Sequence, residues 1–211
     1  MKTKRTLVLI SFLLLSISVA AGLFWRGEPP PLEFTDIKGI SIISPPVSLP
    51  DINLKDHNGK RITLDDFKGH WSMAFFGYTH CPDVCPTSLA VMKRVATKLR
   101  KEGQERDTHY LFVSLDPFRD TPEVLKEYIT FFDPDFIGIT GDKIEIDKLS
   151  ERVGVIYDYE GDVRDEDFIV NHYAAILIID PDARLRAHIL PPHSVEKVAT
   201  AFNRIRDYYG D

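Results

Sequence analysis

The stretch Phe75-Phe76-Gly77-Tyr78-Thr79-His80-Cys81-Pro82-Asp83-Val84-Cys85-Pro86 joins two patterns of different type. Before it, the apolar run from Trp71 to Phe76 lacks polar alternation, which predicts a buried strand. After it, apolar residues recur at helical spacing and predict a helix from about Thr87 to Lys101, with one face formed by Leu89, Met92, Val95, Ala96 and Leu99. The only two cysteines of the chain, Cys81 and Cys85, therefore lie where a strand passes into a helix.

The position and spacing of these cysteines indicate thiolate chemistry. A helix N-terminus lowers the pKa of a nearby thiol, and the thiolate is both the nucleophilic and the metal-binding form. With three residues between them, Cys81 and Cys85 would share one face of a helical turn, where they can close a disulfide or hold one metal ion. A purely structural disulfide is less favoured, because a bridge across so short a loop removes little entropy from the unfolded chain.

Length and charge limit the remaining possibilities. The 211 residues predict one domain preceded by an N-terminal segment. The formal net charge of −6 gives no indication of a nucleic-acid partner.

The N-terminal segment has the pattern of a membrane anchor. Three basic residues among the first five precede an uncharged run from Thr6 to Trp25, which is just long enough to span a bilayer. We interpret residues 1–26 as a single transmembrane anchor, with a signal peptide cleaved near Ser18-Val19-Ala20 as the alternative. The basic flank predicts an inner-membrane protein whose domain faces the periplasmic, extracytoplasmic side. Residues 27–46 contain two proline clusters and predict a tether, part of which can fold against the domain predicted at residues 47–211.

Strand and helix patterns alternate along this domain and predict a mixed α/β fold. Residues 47–64 predict a hairpin around the turn Asp56-His57-Asn58-Gly59. Further strands are predicted at residues 110–115, 136–140, 155–159 and 173–179, with an edge strand at residues 184–189. Helices are predicted at residues 122–132, 144–153 and 195–208, the first capped by Asp120 or Thr121 and the last by Ser194. The acidic segment from Glu160 to Asp167 predicts an exposed loop.

Two histidines are candidates for a third group beside the thiols. His80 adjoins Cys81, but adjacent side chains on a tight loop usually diverge, so we expect it to act at most behind the ligands. His172 precedes a strand predicted to lie beside the strand before Cys81, and loops at adjacent strand ends converge in space. It can therefore face the thiol pair.

The motif Tyr78-Thr79-His80-Cys81-Pro82-Asp83-Val84-Cys85-Pro86 resembles the signature of the Sco/SenC family of membrane-tethered copper proteins, which assist assembly of the binuclear copper centre of cytochrome c oxidase. The resemblance extends to residues 114–122, Ser-Leu-Asp-Pro-Phe-Arg-Asp-Thr-Pro, and to Val170-Asn171-His172. It implies a thioredoxin-like fold with an added N-terminal hairpin and an insertion before the last strands.

The same resemblance implies the site residues and partners. The family's copper ligands fall on Cys81, Cys85 and His172, with the two cysteines as a disulfide in the oxidised form. The family's aspartate near the site falls on Asp116, for which a turn-capping role is an equal alternative. Copper, as Cu(I) or Cu(II), is the implied cargo. The implied partners are the copper-bearing subunit of the oxidase and an upstream copper donor or thiol reductant.

Three functions are compatible with these residues. The first is a metallochaperone rather than an enzyme, in which two thiolates and one imidazole hold a soft ion. The second is a thiol–disulfide reductase that keeps the cysteines of the receiving site reduced. Against it, the chain has no proline between Pro134 and Pro181, so the cis-proline of thioredoxin-type enzymes is replaced by Asn171-His172-Tyr173. The third is a redox sensor whose disulfide state alters a partner surface.

Overall fold

The computed structural model describes residues 32–104, 107–165 and 167–210. The predicted anchor at residues 1–26 lies outside these residues, as does the first part of the predicted tether. Within the three described ranges, no helix is both long enough and apolar enough to cross a membrane.

Ten strands and four α-helices make up this part of the chain. The strands are β1 (Ile40–Ser48), β2 (Leu54–Asp56), β3 (Arg61–Ile62), β4 (Trp71–Gly77), β5 (Thr108–Ser114), β6 (Ile137–Thr140), β7 (Tyr157–Glu160), β8 (Ile169–His172), β9 (Ile176–Ile179) and β10 (Arg184–Ile189). The helices are α1 (Val84–Lys101), α2 (Pro122–Phe132), α3 (Lys143–Arg152) and α4 (Val195–Tyr209). A 3-10 turn, Leu64–Phe67, precedes β4.

The strand before the cysteines lies inside the sheet, as its apolar sequence predicts. Eight strands form one sheet in the order β1-β10-β9-β4-β5-β6-β2-β3, and all seven residues of β4 are buried. β4 runs parallel to β5 and antiparallel to β9. Because Phe75 pairs with Ile176, the chain that enters β9 from His172 arrives at the end of β4 that precedes Cys81. The topology therefore brings the end of β4, the end of the parallel strand β5 and the approach to β9 together at one end of the sheet.

The helix after the cysteines begins earlier than the sequence pattern predicts. It starts at Val84 rather than Thr87, so that Cys85 and Pro86 lie within its first turn. Proline is tolerated there because the first backbone N–H groups of a helix have no intrahelical acceptor. The predicted buried face is confirmed, and it packs under the sheet and against α4.

The predicted starts of α2 and α4 are confirmed by their caps. The Thr121 side chain accepts a hydrogen bond from the backbone N–H of Val124, and that of Ser194 accepts one from Lys197. Each cap satisfies one of the free donors of a first helical turn. Of the two capping residues proposed for α2, Thr121 is the one observed.

The main sheet begins within the predicted tether, and the edge position of β10 was predicted wrongly. β1 covers the last part of the predicted tether and pairs antiparallel with β10, so β10 lies between β1 and β9. Val47 accordingly belongs to β1, and the predicted hairpin is reduced to β2 and β3 around the expected turn. The register of β1 shifts between Ile42 and Val47, where Pro45 and Pro46 cannot donate to a neighbouring strand.

A small second sheet carries the distant histidine. β7 and β8 pair with each other only, and His172 is the last residue of β8. The sequence pattern placed His172 at the mouth of one long strand from residue 173, whereas β9 begins only at Ile176. The exposed acidic loop lies between β7 and β8, in agreement with the prediction.

Candidate metal centre

The two thiols lie together at the start of α1. Cys81 is half-buried in the loop after β4, and Cys85 is fully buried as the second residue of the helix. Both are free thiols in the structure, and the backbone N–H of Cys85 donates to Cys81 Sγ at 3.4 Å. The sequence permits this approach because Gly77 ends β4. A Cβ atom at Gly77 would lie 2.6 Å from Cys85 Sγ, which is closer than real Cβ atoms come to a neighbour.

The structure brings His172 to the same place. Its Nε2 atom lies 3.5 Å from Cys85 Sγ, across 87 positions of sequence. The ligand atoms of Cys81, Cys85 and His172 all lie within 4.8 Å of one another. The imidazole ring makes edge contacts with Phe75 and Tyr78, at centroid distances of 6.1 and 6.2 Å. The predicted convergence of these three residues is therefore observed.

The pKa values of the two thiols are shifted in opposite directions. A hydrogen bond from the Cys85 thiol, with smaller contributions from His172 and from the backbone N–H groups of Asp83 and Cys85, lowers the pKa of Cys81 to about 4. Burial of Cys81 opposes this shift without cancelling it. Donation to Cys81 and burial both raise the pKa of the Cys85 thiol far above its ordinary range. Without metal, the pair therefore holds one thiolate and one thiol, and a bound cation would displace the second proton.

The other two predicted residues, Asp116 and His80, belong to a separate group. Their ligand atoms lie within 4.8 Å of one another and of a carboxylate oxygen of Asp120. Asp116 is fully buried and accepts a hydrogen bond from Arg119 Nε at 2.5 Å, so its charge is already paired. His80 is exposed, and its Nδ1 lies 3.1 Å from Thr79 Oγ1. For Asp116, this geometry favours the turn-organising alternative.

Asp120 holds the cysteine loop against the loop after β5. Its carboxylate accepts hydrogen bonds from Ser114 Oγ at 2.6 Å, from Thr79 Oγ1 at 2.5 Å and from the Thr79 backbone N–H at 3.1 Å. Burial raises the pKa of Asp120, although the Ser114 and Thr79 bonds act in the opposite direction. This residue therefore organises the loop.

Sequence reasoning missed the contacts that hold the β7–β8 sheet in place. The Arg119 guanidinium lies 3.5 Å from the centre of the Phe168 ring and donates to the Phe168 carbonyl at 3.0 Å. Tyr159 Oη donates to the Leu115 carbonyl at 2.8 Å. These contacts fasten the segment that ends at His172 to the loop after β5. Local sequence gives no signal for them, because Arg119 and Phe168 are 49 positions apart.

A parallel β-α-β core flanked by antiparallel strands, with two thiols at the first helix of that core, defines a thioredoxin-like domain. The nearby imidazole adds a donor set suited to a soft metal ion. The chain belongs to the SCO1/SenC family, whose family model matches residues 47–207. The resemblance of the cysteine motif to this family is thereby confirmed.

Individual relatives extend this match. A SCO2-like protein of Rickettsia felis is 36% identical over 149 residues, which cover 70% of this chain and 72% of that protein. The human mitochondrial protein SCO1 homolog is 38% identical over 130 residues, or 62% of this chain and only 43% of the human protein. The structure of Bradyrhizobium japonicum ScoI with copper bound superposes with a TM-score of 0.65 at 36% identity, covering 75% of this chain and 99% of that one. The chain thus spans less than half of the human relative.

Proposed function

We propose that this protein is a copper metallochaperone that delivers copper to the binuclear copper site of cytochrome c oxidase. The observation that carries the proposal is the meeting of Cys81, Cys85 and His172 within 4.8 Å. Membership of the SCO1/SenC family and the copper-bound structure of a family relative support copper as the cargo. The protein would act as a donor of the ion and not as a catalyst.

The donor set suits transfer of the ion. Two thiolates and an imidazole match the preference of Cu(I) for soft ligands in low coordination numbers, and they can also hold Cu(II). Within the described residues, no further cysteine, histidine or carboxylate joins the group as a fourth ligand. A three-coordinate ion leaves an open approach for a ligand of the receiving protein, so that copper passes by ligand exchange without release. Zinc would accept the same donors but usually completes a tetrahedral set.

Redox state would control loading. A disulfide between Cys81 and Cys85 offers no thiolate, so copper binding requires the reduced pair. Outside the cytoplasm such a pair oxidises unless it is reduced or metallated, which implies an upstream reductant or copper donor. The anchor at residues 1–26 would hold the domain on the periplasmic side of the inner membrane, where this control operates.

Copper titration of the reduced full-length chain tests the proposal. We expect about one Cu(I) per chain, and in the Cu(II) form a sulfur-to-copper charge-transfer absorption, because thiolates supply two of the ligands. The double variant Cys81→Ser/Cys85→Ser should lose both signals. Stoichiometric Cu(I) binding by that variant would contradict the proposal.

One observation favours a thiol–disulfide reductase as the second candidate. The lowered pKa of Cys81 makes it an activated nucleophile at neutral pH, as exchange enzymes require.

His172 distinguishes the two functions, because copper needs the imidazole and thiol exchange does not. We expect His172→Ala to weaken Cu(I) binding at least about tenfold, which corresponds to ~1.4 kcal/mol, while disulfide exchange persists. His80→Ala is the matched control, and unchanged copper affinity in His172→Ala would mean that this ligand is misassigned.

A further inference from the structure

A groove between α1 and α4 is strongly basic, although the chain as a whole carries a net charge of −6. On α1, Arg94, Lys98 and Lys101 follow one another at helical spacing on the exposed face, and Lys93 flanks them. These four side chains surround a cavity of about 430 Å³ whose other walls include Glu102 and Val195, the first residue of α4. We call this cavity the α1–α4 groove.

Few anionic groups balance the cations of this groove. Lys98 pairs with Glu102 at 2.5 Å and is also close enough to Glu196 for a charge interaction. Lys93 is close enough to Asp133 for a charge interaction but, like Arg94 and Lys101, it forms no ion pair with a described residue. The groove therefore presents an excess of positive charge, which suits a phosphate group.

The N-terminal end of the described domain contacts α4, the helix that also supplies Val195 to the groove. Asp36 pairs with Arg204 of α4 at 2.8 Å, and the Arg204 guanidinium lies 5.7 Å from the Phe34 ring. Only nine positions of sequence separate Phe34 from Trp25, the end of the uncharged run. With the proposed anchor in a bilayer, so short a linker keeps the groove at a high effective concentration near lipid headgroups.

We propose that the α1–α4 groove binds the phosphate headgroups of anionic phospholipids. Lysine and arginine near a membrane surface are attracted by its negative potential, and Arg94 can in addition donate bidentate hydrogen bonds to a phosphate. The acidic groups elsewhere on the domain oppose this attraction weakly, because salt screens charges beyond about 8 Å. The inference rests on neither copper nor the thiols, so copper binding and lipid binding fail or succeed independently.

Lysine labelling of the full-length chain tests the groove. The chain is mixed with phosphatidylcholine vesicles or with vesicles that also contain phosphatidylglycerol. Its lysines are then methylated with formaldehyde and a neutral amine–borane, which reduces the imine; surface potential excludes neither reagent. We expect Lys93, Lys98 and Lys101 to be labelled about threefold more slowly with the anionic vesicles, and high salt to remove the difference. Lys55 and Lys126, which line a separate cavity beside α2, should react equally with both.

Matched variants separate this surface from general charge attraction. Arg94→Gln/Lys101→Gln removes two charges of the groove, and should abolish the protection of Lys93 and Lys98. Lys55→Gln/Lys126→Gln removes the same charge elsewhere and should leave that protection intact. Equal labelling of the groove lysines in both kinds of vesicle would overturn the proposal, whether or not the anchor inserts. Protection by inorganic phosphate without vesicles would also overturn it, by assigning the groove to a free anion.

Discussion

Cys81 and Cys85 differ in chemistry because they differ in position. Cys85 lies buried within the first turn of α1 and donates a hydrogen bond, whereas half-buried Cys81 accepts it along with two backbone N–H bonds. The negative charge of the reduced pair therefore rests on the sulfur that a partner can reach. An incoming ion or disulfide would meet Cys81 first, and Cys85 would lose its proton as the second bond forms.

This asymmetry predicts the pH dependence of alkylation by iodoacetamide. A thiol reacts as its thiolate, so the rate for Cys81 in the reduced, metal-free protein should rise as pH increases through about 4 and stay level above it. An ordinary cysteine would instead become faster through about pH 8.5. Peptide mass spectrometry after timed labelling measures both sites, and Cys85 should remain largely unmodified.

The variant Cys85→Ala serves as the control for this prediction. It removes the donor that contributes most to the lowered pKa of Cys81, so the rise in rate should move toward higher pH. A rate for Cys81 in the unsubstituted protein that keeps increasing between pH 7 and pH 9 would show that Cys85 does not stabilise the thiolate.

At the scale of elements, the candidate site combines two cysteines held by the main sheet and α1 with a histidine held by the separate β7–β8 sheet. Cys81 lies in the loop after the buried strand β4, and Cys85 lies in the first turn of α1, whose apolar face is buried. His172 lies on the two-stranded β7–β8 sheet, whose attachment depends on side-chain contacts such as Arg119 with Phe168. The position of the imidazole should therefore be easier to perturb than that of the thiols.

Substitution of Arg119 tests this division. Arg119→Lys keeps a positive charge beside buried Asp116, but loses the planar stack on Phe168 and the fork of N–H donors. We expect faster backbone hydrogen exchange in Phe168–His172 and copper affinity lowered about tenfold, or ~1.4 kcal/mol, with alkylation of Cys81 unchanged.

Arg164→Lys is the matched control for Arg119→Lys. Arg164 precedes the same strand, but it is exposed and pairs with Asp162 only at the surface, where an ion pair contributes little. It should leave both the exchange rates and the copper affinity as they are. Equal hydrogen exchange in the Arg119→Lys and unsubstituted proteins would show that backbone pairing alone holds β8.

At the scale of the whole molecule, the sequence determines those features that depend on local patterns. β4 was predicted because its apolar run lacks polar alternation, which is typical of a buried strand, and the starts of α2 and α4 because their caps are local. The cysteines were found from their spacing. For His172, convergence of strand ends made a meeting with the thiols plausible, and the family resemblance singled it out. Its role as a copper ligand stays a prediction.

Features that depend on distant pairing were missed. β1 has a proline pair and little apolar alternation, so its sequence resembles a linker, and only β10 supplies the hydrogen bonds that make it a strand. The contact of Arg119 with Phe168 likewise joins segments that show no mutual signal. In both cases the decisive partner lies far away in sequence, and single-chain patterns do not reveal which segments meet.

The role of β1 gives the last prediction, because this strand begins before residue 47, where the family match starts. Without β1, β10 would become an edge strand with unpaired backbone groups. It contains the apolar residues Leu185, Ala187 and Ile189, and apolar edges promote aggregation. A chain of residues 32–211 should therefore melt like the full-length protein, whereas residues 49–211 should melt at lower temperature and aggregate with increasing concentration. Calorimetry and light scattering compare the two. Equal melting temperatures and a monomeric shorter chain would show that β1 is dispensable, and that the domain begins where the sequence first suggested.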